Sequence, residues 1–130
     1  MKFISPRLHG YLDYGVVLVF LIAPTLFGLS GVPAFISYTL AIVHLGVTLL
    51  TAFPLGVAQV LPFRLHGMIE FVVSLALIAL PWVLGFSAIP APRNFYVIMG
   101  ALIFLVWLVT AYHLVKPKAA IRDKTTAGAR

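Results

Sequence analysis

The sequence predicts an all-α membrane protein: four transmembrane helices built as two tandem helical-hairpin repeats, related by a pseudo-two-fold axis along the membrane normal. Three observations carry this expectation. Of 130 residues, 62% are hydrophobic and only 9% charged, whereas soluble domains carry roughly a quarter charged residues. Four stretches approach the ~20 apolar residues that a helix needs to cross a bilayer core of about 30 Å. The string RLHGYLDYG, which begins at Arg7, returns at Arg64 as RLHGMIEFV.

The first span is expected over residues 6–29. Ser5 is an N-cap type, and Pro6 suits a first helical position, where its missing N–H is not needed. Gly28 and Gly31 mark its end. The second span, 33–53, starts after Pro33 and stops at Phe53-Pro54. The third, 63–86, starts beside Pro62 and stops before Ser87. The fourth, 94–115, follows Pro90 and Pro92 and ends at Lys116-Pro117, so proline punctuates every loop. Helices apolar all round suit lipid and a small bundle alike, which leaves the polar exceptions as the informative positions.

The self-match runs through both strings to Ser30 and Ser87. It pairs Arg7, His9, Gly10, Asp13, Pro24 and Gly28 with Arg64, His66, Gly67, Glu70, Pro81 and Gly85. LTAF, ending at Phe53, likewise matches VTAY, ending at Tyr112. The expected units are therefore a first hairpin over 1–57, a second over 58–117, and a basic disordered cytoplasmic tail over 118–130. A hairpin crosses twice, so both copies enter from one side, and spans one and three meet near the axis.

Charge sets orientation. Lys2, Arg7, Arg64, Lys116, Lys118, Arg122, Lys124 and Arg130 fall on one side under four spans, leaving Arg93 opposite. The positive-inside rule then places both termini in the cytoplasm, in what is expected to be a bacterial inner (plasma) membrane. The net charge of +6 flanks apolar segments and has no folded domain of its own. It fits the lipid bilayer as partner and excludes nucleic acid. With no cysteine, thiolate metal sites and cysteine nucleophiles are excluded too. A homo-oligomer is expected, because one small bundle buries little surface.

ALPWVLGFS, at residues 79–87, lies late in the first helix of a two-helix unit. It resembles the signature of the SPW-repeat membrane proteins, with Leu80 where that family has serine. The resemblance covers both hairpins and implies a small integral membrane protein; it brings no assigned activity.

Residues four apart share a helix face, so His9/Asp13 and His66/Glu70 each put an imidazole beside a carboxylate. Intramembrane ionisable groups face the bundle interior and mark ion, proton or ligand sites. Three readings stand. The one given precedence is a non-enzymatic structural lock, in which Arg7 pairs with Glu70 or His66 and Arg64 with Asp13, fixing helix register. The second is a divalent metal site of His9, Asp13, His66 and Glu70. The third is proton or ion handling by the same groups. A haem b held by two of His9, His44, His66 and His113 is a further cofactor expectation. His44 stands apart in the middle of span two. It forms an inward polar stripe with Ser37, Thr48 and Thr51, and the matching region of span four holds Ile103 and Phe104. Pro24 and Pro81 each free the carbonyl four residues back, at Phe20 and Leu77. Tyr11 and Tyr14 flank Asp13 closely enough to matter.

Overall fold

The computed structural model describes residues 2–115, and the expected tail lies outside them. Helix α1 (Pro6–Phe27) begins where the Ser5 side chain accepts the Leu8 amide and Pro6 takes the first helical position. It ends at Gly28, which adopts the left-handed conformation (φ 63°), and the Leu29 amide closes back on the Pro24 carbonyl at 2.9 Å. Gly31 opens α2 (Gly31–Leu50) rather than closing α1. Helices α3 (Phe63–Val83) and α4 (Pro90–Val109) complete four helices among the described residues, each long and apolar enough to span a membrane, with a mean hydropathy of 1.7.

Several boundaries differ from expectation, and three of them have plain physical reasons. Helix α4 starts at Pro90, not residue 94, because Pro90 and Pro92 both sit in the first turn, where a missing amide breaks no helical bond. Helix α2 stops at Leu50 because Thr51 is extended (φ −73°, ψ 138°) and its hydroxyl donates to the Val47 carbonyl at 2.6 Å. Helix α4 ends the same way. Thr110 is extended (φ −81°, ψ 138°), and its hydroxyl donates to the Val106 carbonyl at 2.6 Å. A single 3-10 turn, Tyr112–Leu114, follows.

Each of these threonines is pinned by the segment that leads into the helix of the other hairpin. Strand β1 (Thr51–Ala52) pairs in parallel with β2 (Leu61–Pro62), Thr51 opposite Leu61. Thr110 forms the same kind of parallel bridge with Ile4, just ahead of α1. The loop after β1 folds tightly, since a side chain at Gly56 would overlap the Thr51 carbonyl.

Helix backbones approach most closely within a hairpin, α1 against α2 and α3 against α4. Gly100 allows this in the second hairpin, because a Cβ there would lie 2.6 Å from the Ser74 carbonyl. Side chains tie the helices further, first within the first hairpin and then across to the second. The Phe20 carbonyl, freed by Pro24, accepts the Ser37 hydroxyl of α2 at 2.6 Å, as a proline inside a membrane helix requires. Tyr96 of α4 is fully buried and donates to the Pro33 carbonyl of α2 at 2.6 Å. Around these bonds pack Phe20, Ala23, Leu77, Phe86 and Phe95. Only 22–33% of each spanning window is buried in the bundle, which leaves most of every helix to lipid. Thr51 and Thr110 close the helices at the same end of the bundle as Lys2, Arg7, Arg64 and His113, hereafter the charged end; Arg93 lies at the other.

Candidate metal centre

His9 and Asp13 lie one turn apart on α1, and His66 and Glu70 one turn apart on α3. All four turn inward between the hairpins, with relative exposures of 0%, 1%, 0% and 5%. Both carboxylates lie between the two imidazoles. Asp13 places Oδ1 3.3 Å from His9 Nε2 and Oδ2 3.4 Å from His66 Nε2. Glu70 places Oε2 3.3 Å from His9 Nε2 and Oε1 3.6 Å from His66 Nε2. From α2, His44 brings its Nε2 to 3.7 Å from Asp13 Oδ1. One donor atom from each of His9, Asp13, His66 and Glu70 can be chosen so that all lie within 4.8 Å of one another.

The far sides of the imidazoles fix their tautomers. His9 Nδ1 lies 2.9 Å from Thr110 Oγ1, and His66 Nδ1 lies 2.7 Å from Thr51 Oγ1. Each threonine has one hydroxyl proton and already donates it to the carbonyl four residues back. It can therefore only accept from the imidazole, so Nδ1 carries the hydrogen and the neutral ring keeps its lone pair on Nε2. A ligating histidine is held in the same way, with its second nitrogen donating to a neighbouring oxygen. These contacts cross between hairpins: α1's histidine rests on the threonine after α4, and α3's on the threonine after α2.

The Nε2 atoms of His9, His44 and His66, together with Asp13 Oδ2, are buried without a hydrogen-bond partner. A lone pair facing a carboxylate oxygen is repulsive, and burying such groups without a partner costs roughly 1–3 kcal/mol each. A shared cation removes both penalties. Ligands about 2.0–2.2 Å from one ion lie about 3.0–3.6 Å from each other, and the four nitrogen–oxygen separations that join His9 and His66 to Asp13 and Glu70 fall in that range, at 3.3–3.6 Å. A charge-assisted N–H···O bond would be shorter, about 2.7–2.9 Å.

The surroundings are closed on the charged side. Phe53 and Phe63 are buried and stacked, with centroids 5.5 Å apart and planes at 7°, and Tyr112 packs on Phe63 at 4.7 Å. Phe63 also meets His9 edge-on at 5.2 Å. Gly67 is small because Tyr112 lies over it, 2.7 Å from where a Cβ would stand, and Phe53 leaves no room for one at Gly10. Tyr112 donates to Glu70 Oε2 at 2.6 Å. Burial, and then the adjacent Glu70 charge, push its phenol well above the ordinary value, so it stays a donor across the working pH range.

Several expectations are corrected. Arg7 and Arg64 do not join the cluster: both are exposed at the charged end, and among the described residues the ion-pair partners of Asp13 and Glu70 are all histidines. A guanidinium in the first turn of a helix reaches water more cheaply than it reaches the interior. His113 is exposed on the 3-10 turn, beside a surface pocket with Lys2 and Arg64. Haem finds no room between His9 and His66, whose ring centroids are 5.5 Å apart with both carboxylates against their Nε2 atoms, and His44 Nε2 likewise faces Asp13. Tyr11 is exposed, and Tyr14 donates to the Leu55 carbonyl at 3.0 Å rather than to Asp13. The polar stripe of α2 does face inward, with Ser37, Thr48 and Thr51 buried and His44 mostly so.

Sequence reasoning missed Thr51, Thr110 and Tyr112 as parts of the site. Their signal was the Thr-Ala-aromatic string that closes each hairpin. Comparison of the chain with family models, with curated proteins and with solved structures found no match, so its chemistry is read from this geometry alone.

Proposed function

We propose that this four-helix membrane protein binds one divalent first-row transition metal ion between its hairpins, through His9, His66, Asp13 and Glu70, with His44 as a further ligand. One observation carries the reading: buried, unpartnered Nε2 lone pairs, oriented by threonines, face carboxylate oxygens at ligand-to-ligand distances. Imidazole and carboxylate donors without thiolate suit manganese, iron, cobalt, nickel or zinc. Two carboxylates and neutral imidazoles around a 2+ ion sum to zero charge, which is the condition for placing such a group at membrane depth.

This reading displaces the arginine lock, since the guanidiniums are on the outside. The matched contacts of the hairpins support tandem repeats about a pseudo-two-fold axis through the ion. The Pro-Trp-x-x-Gly-Phe string at 81–86 is the residue-level support for SPW-repeat membership, and the lysines and arginines gathered at one end support a cytoplasmic position for it. Elemental analysis of protein purified in detergent tests the proposal. One metal ion per chain, lost in the His9→Ala/His66→Ala double variant, is expected; metal-free wild-type protein that also fails to take up manganese, iron, cobalt, nickel or zinc would overturn it.

A further inference from the structure

The grooves on the two sides of the site are unequal. Between α2 and α3, His44 projects toward Asp13 and the remaining space is about 40 Å³. Between α1 and α4, where Ile103 is the residue matching His44 in the hairpin alignment, a cleft of about 340 Å³ remains. Gly15, Val16, Leu102 and Val106 form its walls, and Asp13 and Glu70 reach its inner end. Leu102 is 50% exposed at a depth where the surrounding solvent is lipid. The charged end is sealed by Phe53, Phe63 and Tyr112. The open route to the carboxylates is therefore lateral, from the bilayer.

From this we infer that the α1–α4 cleft admits a bilayer-borne molecule with an aliphatic tail and a neutral oxygen head, a carbonyl or hydroxyl, whose oxygen becomes a ligand of the metal ion. The inference rests on the metal reading above. Three features select that chemistry. The cleft lies at the small end of ligand-pocket volumes, enough for a head group and the first part of a chain, while its open side leaves the rest in lipid. Its walls are apolar, so the tail loses nothing on entering. The ion and its two carboxylates already sum to zero charge, so an anionic head would leave a net negative charge buried, whereas a neutral oxygen does not.

The test uses full-length protein loaded with cobalt(II) in phosphatidylcholine nanodiscs, with 2-undecanone, 1-decanol and decanoate as probes. Saturable shifts of the visible cobalt bands by the ketone or the alcohol, but not by decanoate, are expected. Gly15→Phe should keep its cobalt content while weakening the probe response at least about tenfold, because a side chain at Gly15 meets nothing within 4 Å on its own side and fills the cleft. Leu102→Trp is a second, independent way to fill it. Wild-type protein that binds cobalt stoichiometrically but responds to no probe overturns this inference and leaves the metal reading standing. So does a response equally strong to decanoate, or one that survives both cleft-filling variants. Failure to bind cobalt or any of the other ions overturns the metal reading, and this inference with it.

Discussion

The hairpin α1–α2 and the hairpin α3–α4 agree in the parts that aim the histidines and differ in the parts that touch the carboxylates. In both, a histidine two residues after an arginine precedes a carboxylate by one turn, and a glycine next to that histidine lies under an aromatic ring. In both, an extended threonine accepts the Nδ1–H of the opposite hairpin's histidine. The differences lie inside this frame: Asp13 against Glu70, His44 against Ile103, Phe53 against Tyr112. Tyr112 bonds Glu70, which has the longer side chain, and His44 approaches Asp13, which has the shorter. The shared parts clamp both histidines in the same way; the unshared parts give each carboxylate its own second partner and leave one groove open.

The hardest way to break this comparison is at the clamp. His9→Ala and His66→Ala should each lower metal affinity by more than about a hundredfold, beyond the loss expected for an outer contact, and by similar factors. Competition against a chromogenic chelator in detergent measures both. A difference of more than about tenfold between them would mean that the two histidines are not equivalent ligands.

Thr51→Val and Thr110→Val come next, at about 10–100-fold each, the range for removing the partner of a ligand's second nitrogen. Valine keeps the shape but leaves a buried Nδ1–H unpaired, so a lower melting temperature should accompany the weaker binding. These threonines also mark where the sequence stopped being legible. Span number followed from composition and proline positions, and the His/carboxylate pairs from helical spacing, because both are local properties. The Thr-Ala-aromatic strings were visible as a repeat and Thr51 as part of an inward polar stripe, but nothing local says what either threonine meets. That its partner is a histidine of the other hairpin depends on parallel pairing of Thr51 with Leu61 and Thr110 with Ile4, which joins residues remote in the chain.

Smaller effects belong to the asymmetric residues. Tyr112→Phe, which makes the second hairpin resemble the first, removes a hydrogen bond to a charged group, worth about 1.5–3 kcal/mol, and should weaken metal binding about tenfold. His44→Ile makes the first hairpin resemble the second. It should also cost about tenfold while one ion per chain is retained, since four donors are enough for a tetrahedral ion. Retention of one ion alongside a changed cobalt spectrum would identify His44 as a ligand; an unchanged spectrum would reduce it to a neighbour.

The smallest effect is expected from the arginines, the residues that made the repeat conspicuous in the sequence. In Arg7→Gln/Arg64→Gln, stability should change by less than about 0.5 kcal/mol and metal affinity by less than about twofold, because both side chains are exposed and neither contacts a carboxylate of the cluster. Their position at the starts of α1 and α3 suits a different task, holding the charged end at the lipid headgroups and biasing insertion. The variant should therefore alter topology or yield before it alters the folded protein. A reporter fused to the C-terminus measures the first, and chelator competition on the correctly inserted fraction measures the second. A large loss of metal from that fraction would return the guanidiniums to the site and restore the lock; an unchanged affinity leaves the histidines and threonines to hold it.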